Sequence, residues 1–160
     1  ERDKDRAENL MIVDLLRNDL GKSCTPGSIE VLELCKLHSF SNVHHLVSSI
    51  TGTLNNNFDS IDLLTGCFPG GSITGAPKRR AMEIIAELEP HRRSVYCGSI
   101  GYICANGDMN FNIAIRTLVC DKNKIYCWGG GGIVADSEAE MEYQESFDKI
   151  DRLINCLPIF

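Results

Sequence analysis

Residues 98–128 read GSIGYICANGDMNFNIAIRTLVCDKNKIYCW. Three β-like segments, Gly98 to Cys104, Met109 to Val119 and Lys124 to Trp128, are separated by Asn106-Gly107-Asp108 and by Asp121 to Asn123. Those separators carry turn chemistry, so successive strands fold back on one another and the spacing predicts an antiparallel meander. Directly after it, the glycine run Gly129 to Gly132 leads into a helical period in which Ser137 and Glu140 form a capping box. That helix is expected to reach about Leu157 and to bury a stripe of Phe147, Ile150, Ile154 and Leu157.

Upstream the pattern changes twice. From Asp3 to about Asp19, Leu10, Ile12, Val13, Leu15 and Leu16 follow a mostly helical period that Asn18-Asp19 and Gly21 end. Ser28 to His38 alternates apolar with polar, and His45 to Thr53 is rich in Val, Ile and Thr, so two strands follow. Phe58 to Cys67 reads as a short helix, and the loop PGGSITGAPK feeds another from about Pro77 to Leu88, with Ala81, Met82, Ile84, Ile85 and Leu88 on one face. No internal repeat or low-complexity linker interrupts the chain. The expected fold is one α+β domain over residues 1–160, with helices packed outside antiparallel sheet.

A chain of 160 residues with 43% hydrophobic residues can build a sizeable core. Its net charge of -6, without any run of Lys or Arg, argues against nucleic acid and anionic membrane as partners, so a small anionic substrate needs local cations or a metal. The eight cysteines form no C-x₂₋₄-C pair and read as buried, reduced thiols of a cytoplasmic protein. No apolar run approaches the roughly 20 residues of a membrane span. The charged start ERDKDRAEN, with Glu1 where a Met would stand, reads as a piece of something longer.

Two kinds of pattern carry chemistry. Asp5 and Glu8 are three apart on the first helix, and Glu142 and Glu145 are three apart on the last. Each pair points to one side of its helix, and convergence of all four would require a hard divalent cation, with oxygen-only ligation favouring Mg²⁺. By spacing alone such pairs read as ordinary solvated helix faces. The loops Gly70 to Gly75 and Gly129 to Gly132 each run into a helix, where glycine permits close approach and free N–H groups bind anionic oxygen. The first has P-loop spacing, yet Ala76-Pro77 stands where a nucleotide site needs Lys and a hydroxyl, which excludes that function. Plain turns remain the alternative for both loops. His45 alone reads as a structural histidine, Lys78 as a surface charge and Tyr96 as a core aromatic with a wet hydroxyl. Arg116, mid-strand among Ile113, Ile115 and Leu118, either faces a carboxylate or lies on the solvent face.

Taken in order, DRAENLMIVDLLRNDLG, PGS, HHLVS, PGGSITGAPKRRAMEII, YCGSIGY, IAIRT and GGGGIVADSEAEMEYQESFDK resemble the chorismate-utilising enzymes over essentially the whole chain. FPGGSITGAPK with RRSVYCGSIGY looks most like the aminodeoxychorismate synthase component I branch. The alternatives are the anthranilate synthase branch and a non-catalytic chorismate-binding fragment. The resemblance implies Mg²⁺ as cofactor, chorismate as substrate, and an ammonia-supplying glutamine amidotransferase as partner or fused domain. The activity implied is amination of chorismate to 4-amino-4-deoxychorismate for p-aminobenzoate and folate synthesis.

The same resemblance implies roles residue by residue. Glu8 and Glu145 match direct Mg²⁺ ligands, while Asp5 and Glu142 match flanking acids that act mostly through metal-bound water. His45 matches a histidine near the reacting ring. Tyr96, Arg116 and the backbone of Gly130, Gly131 and Gly132 match groups that bind the enolpyruvyl carboxylate. Thr74 and Lys78 lie beside the substrate in the matching pattern, with Lys78 expected to take part in catalysis. Arg17 matches a supporting position. The family's attacking lysine and proton-donating acid belong to segments before Glu1, so the isolated chain is expected to be inactive. Its fold is expected to be part of a larger domain, with apolar surface left exposed.

Overall fold

The computed structural model describes residues 3–40 and 44–157, with side chains from Arg6 onward. It is an α+β structure in which helices accompany three two-stranded antiparallel sheets among the described residues. In chain order the elements are α1 (Asp3–Leu20), β1 (Glu30–Ser39), β2 (His44–Thr51), α2 (Ser60–Cys67), α3 (Gly71–Thr74), α4 (Lys78–Leu88), β3 (Ser99–Ile103), β4 (Met109–Ile113), β5 (Leu118–Asp121), β6 (Lys124–Cys127) and α5 (Ala139–Asn155). Two compact units result. One holds residues 1–90 and 104–109, and the other holds residues 91–103 and 110–160.

In the first unit α1 packs on the β1–β2 hairpin and touches α2 and α3. Val13, buried on α1, and Cys24, just beyond its end, are its most enclosed apolar side chains. The hairpin carries irregularities in β1, and at Cys35 the backbone turns to φ 48. There the Cys35 N–H leaves the strand ladder and donates to Ser48 Oγ at 2.9 Å, so the amide that the bulge frees still has a partner. The α2 helix starts at Ser60 because Asp59 caps it. Asp59 Oδ1 accepts from the Ile61 and Asp62 N–H groups, and Asp62 returns a bond to the Asp59 N–H. The loop predicted between α2 and α4 contains the single turn α3, and α4 turns Ala81 and Ile85 inward while Met82, Ile84 and Leu88 stay exposed.

The second unit departs from the predicted meander. β3 pairs with β4 and β5 with β6, but the segment expected as one strand from Met109 to Val119 is broken at residues 114–117. Ala114 still belongs to the first pairing, donating to Gly98 O and accepting from the Cys97 N–H. The Ile115 N–H then bonds back to Ile113 O, Arg116 takes φ 52, and Thr117 Oγ1 closes on Ile115 O. Ile115, Arg116 and Thr117 thus form a kink, because local hydrogen bonds replace the ladder there.

The capping box at Ser137 does not form. α5 begins at Ala139 with Glu138 as its N-cap, and Ser137 instead donates from its hydroxyl to Glu142 Oε1 at 2.6 Å. Nor is the predicted stripe buried, since Phe147 and Ile154 are exposed and Ile150 and Leu157 are half-buried. The enclosed side of α5 carries Glu142, Ser146, Lys149, Ile150 and Leu153. A Cβ on Gly129 would lie 2.5 Å from Ser146 O and 3.1 Å from Ile150, so the glycine run lies directly on that face. The cysteines are all free thiols, but only Cys24 is buried, and Cys104, Cys120 and Cys156 are exposed.

Two outcomes follow for the 160-residue chain. Leu32, Leu34 and Leu37 of β1 are 63%, 50% and 61% exposed, so the chain should enhance the fluorescence of a hydrophobic dye at native pH; no enhancement would show that this surface is covered in solution. Burial pushes the Cys67 thiol above its ordinary range, chiefly by disfavouring the thiolate. Less thiolate at pH 8 means slower alkylation, so mass spectrometry should find Cys104, Cys120 and Cys156 modified by iodoacetamide before Cys67, with the gap narrowing as pH rises.

Candidate functional site

In the first unit, α1 and β2 frame a cleft of about 660 Å³ lined by Glu8, Asn9, Ile12, Leu37, His44, His45 and Leu46. Two expected site residues, Glu8 and His45, therefore share one opening. The side chain of Asp5 lies outside the described residues. The two framing elements are tied by Asn9, whose amide donates to Leu46 O at 3.1 Å while its Oδ1 accepts from Ser48 Oγ and, at 3.4 Å, from Cys35 Sγ. Asn9 thus links Glu8, its neighbour on α1, to the residue after His45 on β2. The His45 ring lies 6.1 Å from that of Phe40, centre to centre.

The other residues of this unit gather at the far end of α1. Thr74 ends α3 and its hydroxyl returns to Gly70 O at 3.2 Å. The Lys78 ammonium lies 2.9 Å from each oxygen of Asp19 and 3.5 Å from Cys67 O. Lys22 joins the same carboxylate at 2.7 Å and bonds Gly66 O at 3.1 Å. Arg17, expected to support the site, pairs with Asp14 on the solvent side of α1 at 3.2 Å, an exposed pair of small energetic weight.

In the second unit, Tyr96 stacks on Trp128 with ring centres 6.5 Å apart, and Trp128 stacks in turn on Tyr126. A Cβ on Gly130 would lie 2.8 Å from the Tyr96 hydroxyl oxygen, so only glycine lets that hydroxyl rest on the loop. Beside Gly131 the missing side chain leaves a space with Glu142 Oε2 at 3.1 Å, Lys149 Nζ at 3.5 Å and Glu145 Oε1 at 3.7 Å from the Cβ position. Glu142 is only 6% exposed. Lys149 pairs with Glu145 and donates to Gly130 O at 3.3 Å. Gly132 continues the loop on the exposed side. Arg116 is exposed in the kink and not mid-strand, which corrects its expected placement.

Carboxylate oxygens aimed into a space that a side chain would fill are a suitable donor set for a hard divalent cation, and Glu142 with Glu145 meets that description. Within the described residues no group of three or more His, Cys, Asp or Glu forms a metal cage. Sequence reasoning missed Asp19, Asn9, Lys149 and Trp128. Two of them left a signal. An acid in the last turn of a helix opposes the helix dipole and so requires a cation, and Lys149 stands four residues after Glu145, in reach along one helix face.

A profile of the family described as chorismate binding enzyme matches residues 1–155. Aminodeoxychorismate synthase component 1 of Salmonella typhimurium is 58% identical over 154 residues, covering 96% of this chain and 34% of that protein. Anthranilate synthase component 1 of Mycobacterium bovis is 46% identical over 155 residues, covering 97% of this chain and 30% of that protein. The crystal structure of anthranilate synthase component I from Streptococcus pneumoniae has a TM-score of 0.88 at 42% identity, over 94% of this chain and 35% of that one. The chain spans about a third of the length of the relatives it matches. With the family profile matched from residue 1 to residue 155, the chain belongs to the chorismate binding enzyme family.

Proposed function

We propose that this protein aminates chorismate to 4-amino-4-deoxychorismate, with ammonia supplied by a glutamine amidotransferase subunit or domain, in the cytoplasm. The observation that carries this reading is the higher identity to aminodeoxychorismate synthase component 1 than to anthranilate synthase component 1. Among the described residues no helix is long and apolar enough to cross a membrane, in keeping with that location.

Chorismate carries two carboxylates and a C4 hydroxyl that is a poor leaving group, so its amination needs charge neutralisation and exact placement. Glu8 and Glu145 are the proposed direct ligands of Mg²⁺, and Asp5 and Glu142 the acids that would act mostly through metal-bound water. When bound, the ion would supply positive charge for the ring carboxylate. Arg116 and the N–H groups of Gly130, Gly131 and Gly132 bind the enolpyruvyl carboxylate, an assignment favoured by the exposed position of Arg116. The Tyr96 hydroxyl, resting against Gly130, faces the same group. His45 in its cleft and Thr74 at the end of α3 orient the ring.

Incubating the protein as its gene encodes it with chorismate, Mg²⁺ and ammonium should yield 4-amino-4-deoxychorismate, seen by mass spectrometry. Strongly fluorescent anthranilate would establish the anthranilate synthase reading instead. In that assay Glu145→Gln should lower Mg²⁺-dependent turnover at least about 10²-fold, because a transition-state charge loses its ion. Calorimetry should show weaker Mg²⁺ binding in the same variant, and unchanged binding would overturn the ligand assignment.

A further inference from the structure

Asp19 is the most enclosed charged group of the first unit, its side chain 3% exposed, and no step proposed above uses it. We infer that Asp19 is a positioning residue for the glycine loop, and that Lys78 serves the reaction through Asp19 and not by touching substrate. This rests on the proposed amination of chorismate.

An ammonium has three donors. Those of Lys78 face both Asp19 oxygens and Cys67 O, which leaves none for a ring or a leaving group. Its side chain is also half-buried, at 24% exposure. Charge is balanced locally. Two lysines meet one carboxylate, and the carbonyls of Gly66 and Cys67 at the C-terminal end of α2, the negative pole of that helix, take the excess.

The pair also sits where it can act at a distance. At the other end of the loop, a Cβ on Gly71 would lie 3.0 Å from the Leu15 Cβ, so α3 rests on α1 with no side chain between. The stretch from Gly71 to Lys78, with Thr74 inside it, is thus pinned to α1 at both ends. Along the same helix stand Glu8 and Asn9, which line the His45 cleft. Releasing Asp19 from Lys78 frees the second pin while every group proposed to touch chorismate remains.

The test compares D19N, K78M, D19N/K78M and K78R in the protein as its gene encodes it, assayed with chorismate, Mg²⁺ and ammonium after circular dichroism has shown each to be folded. D19N and K78M should each lower kcat/KM by about 10²-fold, the scale of a misplaced positioning group. The double variant should be no worse than either single one, since all remove the same contact. K78R should recover to within about tenfold of the unmodified protein, because a guanidinium can grip the same carboxylate with two bonds. Collapse of K78M and K78R with D19N fully active would overturn the inference and make Lys78 a group acting on substrate. Losses that only follow the unfolded fraction, with kcat and KM unchanged per folded molecule, would also overturn it. Should the unmodified protein leave chorismate untouched, the proposed function fails, and amide hydrogen exchange decides the inference alone. Protection across residues 71–78 must then fall alike in D19N and K78M, and unchanged protection rejects it.

Discussion

The buried contact between Asp19 and Lys78 is the constraint on which the first unit turns. An aspartate in the last turn of a helix meets the negative end of the helix dipole, and burial adds the loss of hydration, so by itself it would destabilise α1. Lys78, arriving from the first turn of α4, and Lys22, just past the end of α1, reverse that balance. Deleting Lys78 would leave the buried Asp19 carboxylate with Lys22 as its remaining cation. Lys22 is nearly half exposed and contributes less, so Lys78 carries the pairing. Three helices meet at this carboxylate, since the lysines also take the last carbonyls of α2.

A second regularity is that polar groups share the enclosed faces while many large apolar side chains point outward. The enclosed side of α5 carries Glu142, Ser146 and Lys149 beside Ile150 and Leu153, while Met141, Tyr143, Phe147 and Ile154 are exposed. On the hairpin, Cys35 and Ser48 meet α1 through Asn9, while Leu32, Leu34 and Leu37 stay open. Amphipathic patterning says only that a face prefers to leave water. Which face is enclosed depends on what packs nearby, and the chain spans about a third of its relatives' length. Glycine enables the closest of these approaches, because a Cβ on Gly129 would collide with the Ser146 carbonyl, and Gly130 and Gly131 lie tightly against Tyr96 and Glu142.

Much of the architecture was legible residue by residue. The period of Leu10 to Leu16 and the Asn18-Asp19-Gly21 stop placed α1, while alternation placed β1 and β-branched content placed β2, each to within two residues. Other features escaped local rules. Ile115 and Thr117 favour strand, yet with Arg116 between them they form a kink. Ser137 and Glu140 have capping-box spacing, yet Ser137 bonds to Glu142. Cysteine in an apolar stretch suggested burial, yet Cys104 and Cys120 are exposed. At the kink and at Ser137, local hydrogen bonding outweighed the intrinsic preference.

The sequence by itself determined most of the helices and strands, the α+β class, the two glycine loops and, through ordered motifs, the resemblance to chorismate-utilising enzymes. Short-range sterics, turn chemistry and side-chain periodicity act over a few residues, so they can be read along the chain. Only the tertiary structure decided that Lys78 faces Asp19, that Asn9 joins α1 to β2, and that Glu142 and Glu145 flank the space at Gly131. Those contacts join residues up to 59 positions apart. Burial and charge pairing select them, and both depend on what surrounds a side chain and not on what precedes it.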